Sequence, residues 1–162
     1  MLRIGGLTPL SASDYPGRLA AVVFCQGCAW RCTYCHNPHL LAFKKEGIAW
    51  REVVRFLERR RGLLDAVVFS GGEPTLQSAL GAAMREVKAM GYLVGLHTAG
   101  ISPRRLARVL PLVDWVAMDL KAPLETHETV TRTPGSGQRA WESRKLIRES
   151  GVAARFHTIP FP

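Results

Sequence analysis

The chain has 162 residues, of which 47% are hydrophobic and 22% charged, and its formal net charge is +9. This length and composition fit a single domain over residues 1–162 and exclude an intrinsically disordered chain. No apolar run approaches the roughly 18 residues that cross a bilayer, and the first residues lack the apolar stretch of a signal peptide. We therefore expect no association with a membrane.

Short buried strands alternate with amphipathic helices along the chain. Strands are predicted over residues 20–25, 66–69, 92–97, 115–120 and 152–159. Helices are predicted over residues 50–61, 75–90, 102–110 and 138–150, and residues 122–137 are predicted to form a loop rich in Pro, Gly and Thr. Gly91 and Gly151 are expected to end two of these helices, because glycine readily adopts the left-handed conformation at a helix C-terminus.

This alternation predicts an α/β fold with a parallel sheet and right-handed crossovers. Five such strand–helix units would curve into an open, partial (β/α) barrel. Functional loops gather at the C-terminal ends of parallel strands. The chemically distinctive residues of this chain follow or end the predicted strands, so we expect them to meet at one edge of the sheet.

All four cysteines lie in residues 25–38, Cys-Gln-Gly-Cys-Ala-Trp-Arg-Cys-Thr-Tyr-Cys-His-Asn-Pro. Such crowding differs from the dispersed cysteines of a secreted disulfide framework and indicates a metal site. Zinc ribbons separate two ligand pairs by about a dozen or more residues, whereas Cys28 and Cys32 are close neighbours. An iron–sulfur cluster accepts short spacings because each cysteine binds a different iron. The cluster is the favoured interpretation, and zinc is the alternative.

Three of the cysteines, Cys28, Cys32 and Cys35, have the spacing C-x3-C-x2-C. Three ligands would leave one iron of a 4Fe–4S cluster open to a substrate or cofactor, which indicates catalysis rather than electron storage. Cys25 ends an apolar run and is expected to be a small buried residue at a strand end. Ligation by all four cysteines stays open as the second possibility.

With Tyr34 before the last cysteine, this motif resembles the signature of the radical S-adenosylmethionine (SAM) enzymes. Residues 31–38 resemble the activating enzymes of glycyl-radical proteins. The lead-in Asp14-Tyr15-Pro16-Gly17 is similar to the branch that activates anaerobic ribonucleoside-triphosphate reductase. The resemblance covers nearly the whole chain and implies a partial (β/α) barrel, usually of six strands. Because five are predicted here, we expect a fragment that stops before the sixth strand or an unusually short version.

The resemblance implies that Cys28, Cys32 and Cys35 are catalytic and hold a 4Fe–4S cluster. Reduction of this cluster would cleave SAM and give a 5′-deoxyadenosyl radical, which would generate a glycyl radical on a partner enzyme. Seven further residues are expected to bind the cofactor: Tyr34, Gly71, Gly72, Glu73, Thr98, Asp119 and Lys121.

Two of these groups have a physical basis of their own. The glycines of Ser70-Gly-Gly-Glu-Pro74 let the backbone approach a ligand closely, and the resemblance assigns this segment to the amino group of SAM; an ordinary turn is the alternative. Asp119 and Lys121 point to the same side of a strand. The resemblance places them at the ribose and methionine parts of SAM, and a structural ion pair is the alternative.

The histidines give a weaker signal. His97 stands where several relatives carry an aspartate that helps to bind a monovalent cation near SAM, and an imidazole cannot replace that anionic oxygen ligand. His97 is therefore expected either to bond the cofactor or to be structural. His157 ends the last predicted strand and could face the site, and His36 is expected to pack the cysteine loop.

The predicted partners are the anaerobic ribonucleoside-triphosphate reductase and a flavodoxin- or ferredoxin-like electron donor. Basic clusters at Arg59-Arg60-Arg61 and at Arg104, Arg105 and Arg108 lack the interleaved aromatics of a nucleic-acid surface, so an acidic donor fits them better. An iron–sulfur cluster needs a reducing compartment, so we expect the cytoplasm. The alternatives are another target, such as a formate-lyase type enzyme or a small molecule, and a non-catalytic zinc or iron–sulfur module.

Overall fold

A computed structural model describes residues 1–44 and 47–158. The strands are β1 (Ile4–Ser11), β2 (Ala20–Cys25), β3 (Ala66–Gly71), β4 (Leu93–Thr98), β5 (Trp115–Leu120) and β6 (Ala153–Thr158). The helices are α1 (Trp50–Glu58), α2 (Leu80–Ala89), α3 (Pro103–Val109), α4 (His127–Thr131) and α5 (Ser136–Ser150). Ile159, predicted as the end of the last strand, lies outside the described residues. No helix in the described ranges has the length and apolar character to cross a bilayer.

The strands form one six-stranded sheet whose spatial order follows the chain from β1 to β6. Strands β2 to β6 pair in parallel, and β1 pairs antiparallel to β2. The sheet does not close, because β1 and β6 stand at its two edges. The predicted α/β partial barrel is therefore confirmed, and each of the five predicted strands is present.

Alternation along the strands separates two apolar faces. Val23, Phe69 and Met118 belong to the face that packs against the helices and contains most of the buried side chains. The other face has a smaller apolar cluster, which among the described residues includes Val22 and Trp115 and no residue of a helix. Tyr15, from the segment between β1 and β2, also packs in this cluster. The rings of Tyr15 and Trp115 lie 5.3 Å apart. Tyr15 thus covers part of this second face.

Strand β1 was not predicted from the sequence, because its residues Ile-Gly-Gly-Leu-Thr-Pro-Leu-Ser include two glycines and a proline. These residues are depleted in strands, and Pro9 is tolerated because β1 is an edge strand. The predicted helix over residues 75–90 is also too long at its start. Residues Pro74–Leu76 form a short 3₁₀ turn, and α2 begins only at Leu80. Gln77 between them is extended and donates its side-chain amide to the carbonyl of Gln26, 2.6 Å away.

The prediction of a loop over residues 122–137 is wrong for α4, a five-residue helix. So short a helix has no detectable apolar period and depends on tertiary contacts. Here the hydroxyl of Thr131 donates to the carbonyl of His127 at 2.9 Å, and Arg132 ends the helix in the left-handed conformation, with φ 51°. The stops predicted at Gly91 and Gly151 are confirmed, because both glycines have positive φ.

Replacing Leu57 by Ala tests the helix-facing core. Leu57 on α1 is fully buried, so Leu57→Ala should lower the free energy of unfolding by about 2–5 kcal/mol. The exposed neighbour Leu63 provides the control, and Leu63→Ala should change this quantity by less than about 0.5 kcal/mol. Urea denaturation of both variants without metal measures the difference, and equal losses would contradict the packing described.

Candidate active site

A cavity of about 310 Å³ lies where the five parallel strands end. Its volume falls in the range of small-molecule sites. All of the residues predicted to bind the cluster or the cofactor, except Glu73, line it. They are Cys28, Cys32, Tyr34, Cys35, Gly71, Gly72, Thr98, Asp119 and Lys121. The fold thus brings together residues that lie up to 93 positions apart, from Cys28 to Lys121.

The three cysteines are free thiols on one side of this cavity. Burial raises the pKa of the Cys28 thiol to about 12 and also raises that of Cys32. At neutral pH the thiols of Cys28 and Cys32 therefore keep their protons unless a metal replaces them. Within residues 1–44 and 47–158, no three His, Cys, Asp or Glu side chains converge closely enough for a single metal ion. Three cysteines at these short spacings suit a cluster in which each cysteine binds a different iron, whereas a structural zinc site takes four protein ligands.

Cys25 differs from the other three cysteines. It is completely buried at the end of β2 and does not line the cavity. Its carbonyl accepts a hydrogen bond from the amide of Gly72 at 2.9 Å. This placement agrees with the expectation of a small buried residue at a strand end.

The buried side chain of Gln26 stabilises the start of the cysteine loop. The side chain of Gln26 donates to the carbonyls of Ala42, at 2.7 Å, and His39, at 3.1 Å. The amides of Gly27 and Cys28 donate to Leu40 and Leu41 at 2.7 and 3.1 Å. These hydrogen bonds join the start of the loop to residues 39–42 without any metal.

Helix α4 holds the middle of the loop. The amides of Arg31 and Thr33 donate to carbonyls of α4, each at 3.0 Å. Trp30, which is 1% exposed, packs edge-on against the fully buried ring of His127 at 5.1 Å. The Nδ1 of His127 lies 2.9 Å from the buried hydroxyl of Ser136, at the start of α5. Burial lowers the pKa of His127, so the ring is neutral.

The sequence analysis did not identify this support, and the segment offers little signal for it. A lone histidine within a Thr-rich stretch carries no pattern that ties it to a tryptophan about a hundred residues earlier. The T-shaped contacts of His127 with Trp30 and with Trp141, 6.1 Å away, exist only in the folded chain.

The Gly71–Gly72 turn lies against the cysteine loop. Gly71 has φ +112°, and a Cβ at this position would lie 2.5 Å from the backbone nitrogen of Cys25. A Cβ on Gly72 would lie 2.4 Å from the carbonyl oxygen of Gly27. Only glycine permits this approach of two backbones, so the glycines are required by the contact between the two loops as well as by any ligand.

Glu73 is the one predicted cofactor-binding residue that the structure places elsewhere. Its side chain is fully buried and does not line the cavity. Its carboxylate accepts hydrogen bonds from the amide and hydroxyl of Thr75, at 3.1 and 2.6 Å, from the hydroxyl of Thr98 at 2.7 Å and from the amide of Ala99 at 3.0 Å. Burial nevertheless raises its pKa. Glu73 thus joins the ends of β3 and β4, and the expected contact of this residue with the cofactor stays a prediction.

Asp119 and Lys121 form the side of the cavity nearest β6. The Nζ of Lys121 lies 3.0 Å from Asp119, and the Nδ1 of His157 lies 3.3 Å from the other carboxylate oxygen. The ion pair proposed as the alternative is therefore present, and both side chains also line the cavity. The hydroxyl of Tyr34 donates to the carbonyl of Lys121 and ties the cysteine loop to this side.

His97 joins three segments at the floor of the cavity. Its Nε2 lies 2.9 Å from the carbonyl of Asp14 and its Nδ1 3.4 Å from the hydroxyl of Ser70. The ring also packs edge-on against Trp115 at 5.5 Å. These contacts give His97 a structural role. Its side chain also lines the cavity, as those of His36 and His157 do.

Replacing Glu73 by Gln tests its role as the link between β3 and β4. Glutamine has the same shape, but its NH₂ group would face either the Ala99 amide or the Thr75 and Thr98 donors, and an unpaired buried donor costs about 1–3 kcal/mol. Glu73→Gln should lower the free energy of unfolding by that amount. Glu58→Gln, at an exposed position on α1, is the matched control and should be neutral. Urea denaturation without metal measures both, and an unchanged stability of Glu73→Gln would argue against the link.

Replacing His127 by Ala tests the support of the loop by α4. Loss of this buried ring should lower the free energy of unfolding by about 2–4 kcal/mol, and hydrogen exchange should accelerate at the amides of Arg31 and Thr33. His39→Ala removes an exposed ring and should do neither. Exchange that accelerates uniformly over the chain would show a general loss of stability without a specific support of the loop.

The fold of this chain is similar to those of several solved structures. QueE from Escherichia coli aligns with a TM-score of 0.57 at 14% identity, over 98% of this chain and 84% of its own. The structure of anSMEcpe with bound AdoMet aligns with a TM-score of 0.61 at 20% identity, over 81% of this chain and 40% of its own. Similarity at such identities shows the fold alone.

Comparison of sequences gives nearer relatives. A protein of Methanocaldococcus jannaschii described as a glycyl-radical enzyme activating enzyme is 33% identical over 83% of this chain, which spans 57% of that relative's length. The pyruvate formate-lyase-activating enzyme of Clostridium pasteurianum is 33% identical over 100% of this chain, which spans 70% of it. Residues 22–161 match the family model described as the radical SAM superfamily. The chain therefore belongs to the radical SAM superfamily, whose members use a 4Fe–4S cluster together with S-adenosylmethionine, the cofactors that the sequence predicted.

Proposed function

We propose that this chain activates a glycyl-radical enzyme. The observation that carries the proposal is that the three cysteines, the Gly71–Gly72 turn and the Asp119–Lys121 pair line one cavity in a chain of this superfamily. The activating enzymes among its relatives support the choice of target class. The whole reaction stays a proposal because the chain spans only part of those relatives.

Cys28, Cys32 and Cys35 would hold the cluster and leave one iron without a protein ligand. When bound and reduced, the cluster would supply the electron for the reductive cleavage of SAM, the chemistry through which a glycyl radical would form on the partner. The protein contributes by holding the reacting groups in place and excluding water from them. The supports described for the loop, from Gln26 and from α4, keep the three sulfur atoms on the cavity side.

The cofactor would lie between the glycine turn and the ends of β4 and β5. The Gly71–Gly72 backbone would bind its amino group, because the absence of side chains leaves peptide groups accessible. Asp119 would accept hydrogen bonds from the ribose, and Lys121 would meet the carboxylate of the methionine part. Thr98 and Tyr34 would line the remaining wall, although their hydroxyls are bonded to Glu73 and to the Lys121 carbonyl.

The proposed target is the anaerobic ribonucleoside-triphosphate reductase, with a flavodoxin- or ferredoxin-like donor in the cytoplasm. The segment Asp14-Tyr15-Pro16-Gly17 supports this choice. A formate-lyase type target is the second candidate, and the names of the relatives from Clostridium pasteurianum and Streptococcus mutans favour it.

Incubation with each candidate partner separates the two targets. The protein would be reconstituted without oxygen, reduced with dithionite and mixed with SAM and one partner, and the glycyl radical on that partner would be followed by electron paramagnetic resonance (EPR). We expect a radical on the ribonucleotide reductase and none on the formate-lyase type enzyme. The reverse result would move the assignment, and SAM cleavage without a radical on either partner would refute both targets.

Two cysteine variants test the assignment of the cluster ligands. Cys32→Ala should lose most of the iron and the production of 5′-deoxyadenosine, because two cysteines hold the cluster poorly. Cys25→Ala should keep about four irons per chain and keep turnover, because this cysteine lies outside the cavity. Iron analysis and product assay measure both, and loss of the cluster in Cys25→Ala would make Cys25 the fourth ligand.

A further inference from the structure

A second groove, of about 510 Å³, lies on the outer side of the cysteine loop. Ala29, which follows the expected ligand Cys28 directly, is exposed and lines this groove. The two Cα atoms are therefore about 3.8 Å apart across a trans peptide bond. No residue that lines the groove also lines the cavity, so the loop separates the two.

The groove is basic. Arg104, Arg105 and Arg139 line it and are exposed, and Glu142 is its one carboxylate. None of these side chains takes part in an ion pair with any described residue. Arg31 adds a positive charge on the loop itself, because its guanidinium donates to the carbonyls of Cys28, at 2.6 Å, and Trp30, at 2.9 Å.

Helix stability does not account for the arginines. Arg104 and Arg105 lie in the first turn of α3, and Arg139 lies in the first turn of α5. Neither first turn contains an acidic residue. Because the helix dipole favours acidic side chains at this end and disfavours cations, the guanidiniums act against it. Arg105 also has a structural partner, because its guanidinium donates to the carbonyl of Leu76. For Arg104 and Arg139 the helices supply no such reason, so their positive charge points to a role outside the helices.

We propose that this groove docks an acidic one-electron carrier protein, which reduces the cluster from the side opposite the SAM cavity. The inference rests on the proposed function, because only a reductive reaction needs an external electron. In the step itself, a reduced flavin of the carrier loses one electron and becomes the semiquinone, and the oxidised cluster gains that electron.

Charge reversal with a matched control tests the docking site. The groove variant is Arg104→Glu, Arg105→Glu and Arg139→Glu. The control variant is Arg59→Glu, Arg60→Glu and Arg61→Glu, which makes the same change in charge at the other basic cluster, just after α1, where the proposal expects no docking. Those three arginines are exposed and precede β3, so they lie at the other end of the sheet.

The first measurement is the affinity of each variant for a bacterial flavodoxin, titrated at low and at moderate salt. Steering by charge changes association about tenfold or more. We expect the groove variant to bind flavodoxin about tenfold more weakly than the control variant, with a smaller dependence on salt. Equal affinity of the two variants, or no binding by the unmodified protein, would overturn the proposal.

The second measurement compares two reductants in the production of 5′-deoxyadenosine. Dithionite is small and needs no docking, so all three proteins should respond to it equally. With flavodoxin hydroquinone, the kcat/KM for flavodoxin should fall about tenfold in the groove variant and stay near the unmodified value in the control. If the unmodified protein makes no product with dithionite, the proposed function fails, and the affinity measurement still decides whether the groove binds the carrier.

Discussion

The buried carboxylate of Glu73 is the constraint on which the site depends. It accepts hydrogen bonds from Thr75, which follows β3, and from Thr98 and Ala99 at the end of β4. The Glu73 amide donates to the carbonyl of Gly27 at 2.9 Å. One residue thus connects the start of the cysteine loop with two neighbouring strand ends. An unpaired carboxylate would be costly to bury, so the four donors and the carboxylate have to stay together. This arrangement fixes the cavity wall before any cofactor binds.

The cysteine loop is held at its beginning, its middle and its end by contacts that do not involve the thiols. Gln26 closes its beginning, α4 holds its middle through Trp30 and His127, and Tyr34 ties its end to the carbonyl of Lys121. Each support uses a backbone hydrogen bond or a buried ring, and none uses a thiol. The sulfur atoms therefore remain available on the cavity side, while the opposite side of the same loop reaches the surface at Ala29.

The sequence predicts those parts of the molecule that have a local pattern. Four of the five parallel strands, β2 to β5, are mainly apolar and buried runs, and the cysteine spacing and the paired glycines are readable motifs. The position of Glu73 could not be read, because its motif is equally compatible with a side chain that faces a ligand. Helix α4 and strand β1 were missed since their Thr, Gly and Pro residues oppose the structure that tertiary contacts impose. The contact of Trp30 with His127 has no sequence signal at all.

EPR of the reduced protein with and without SAM tests the central claim most directly, namely that the three cysteines hold a cluster with one open iron beside the cofactor site. The protein would be reconstituted and reduced without oxygen, and divided into two samples. We expect the signal of a reduced 4Fe–4S cluster whose g-values shift when SAM is added, because SAM would bind the open iron. An unchanged spectrum from a protein with its full iron content would contradict it.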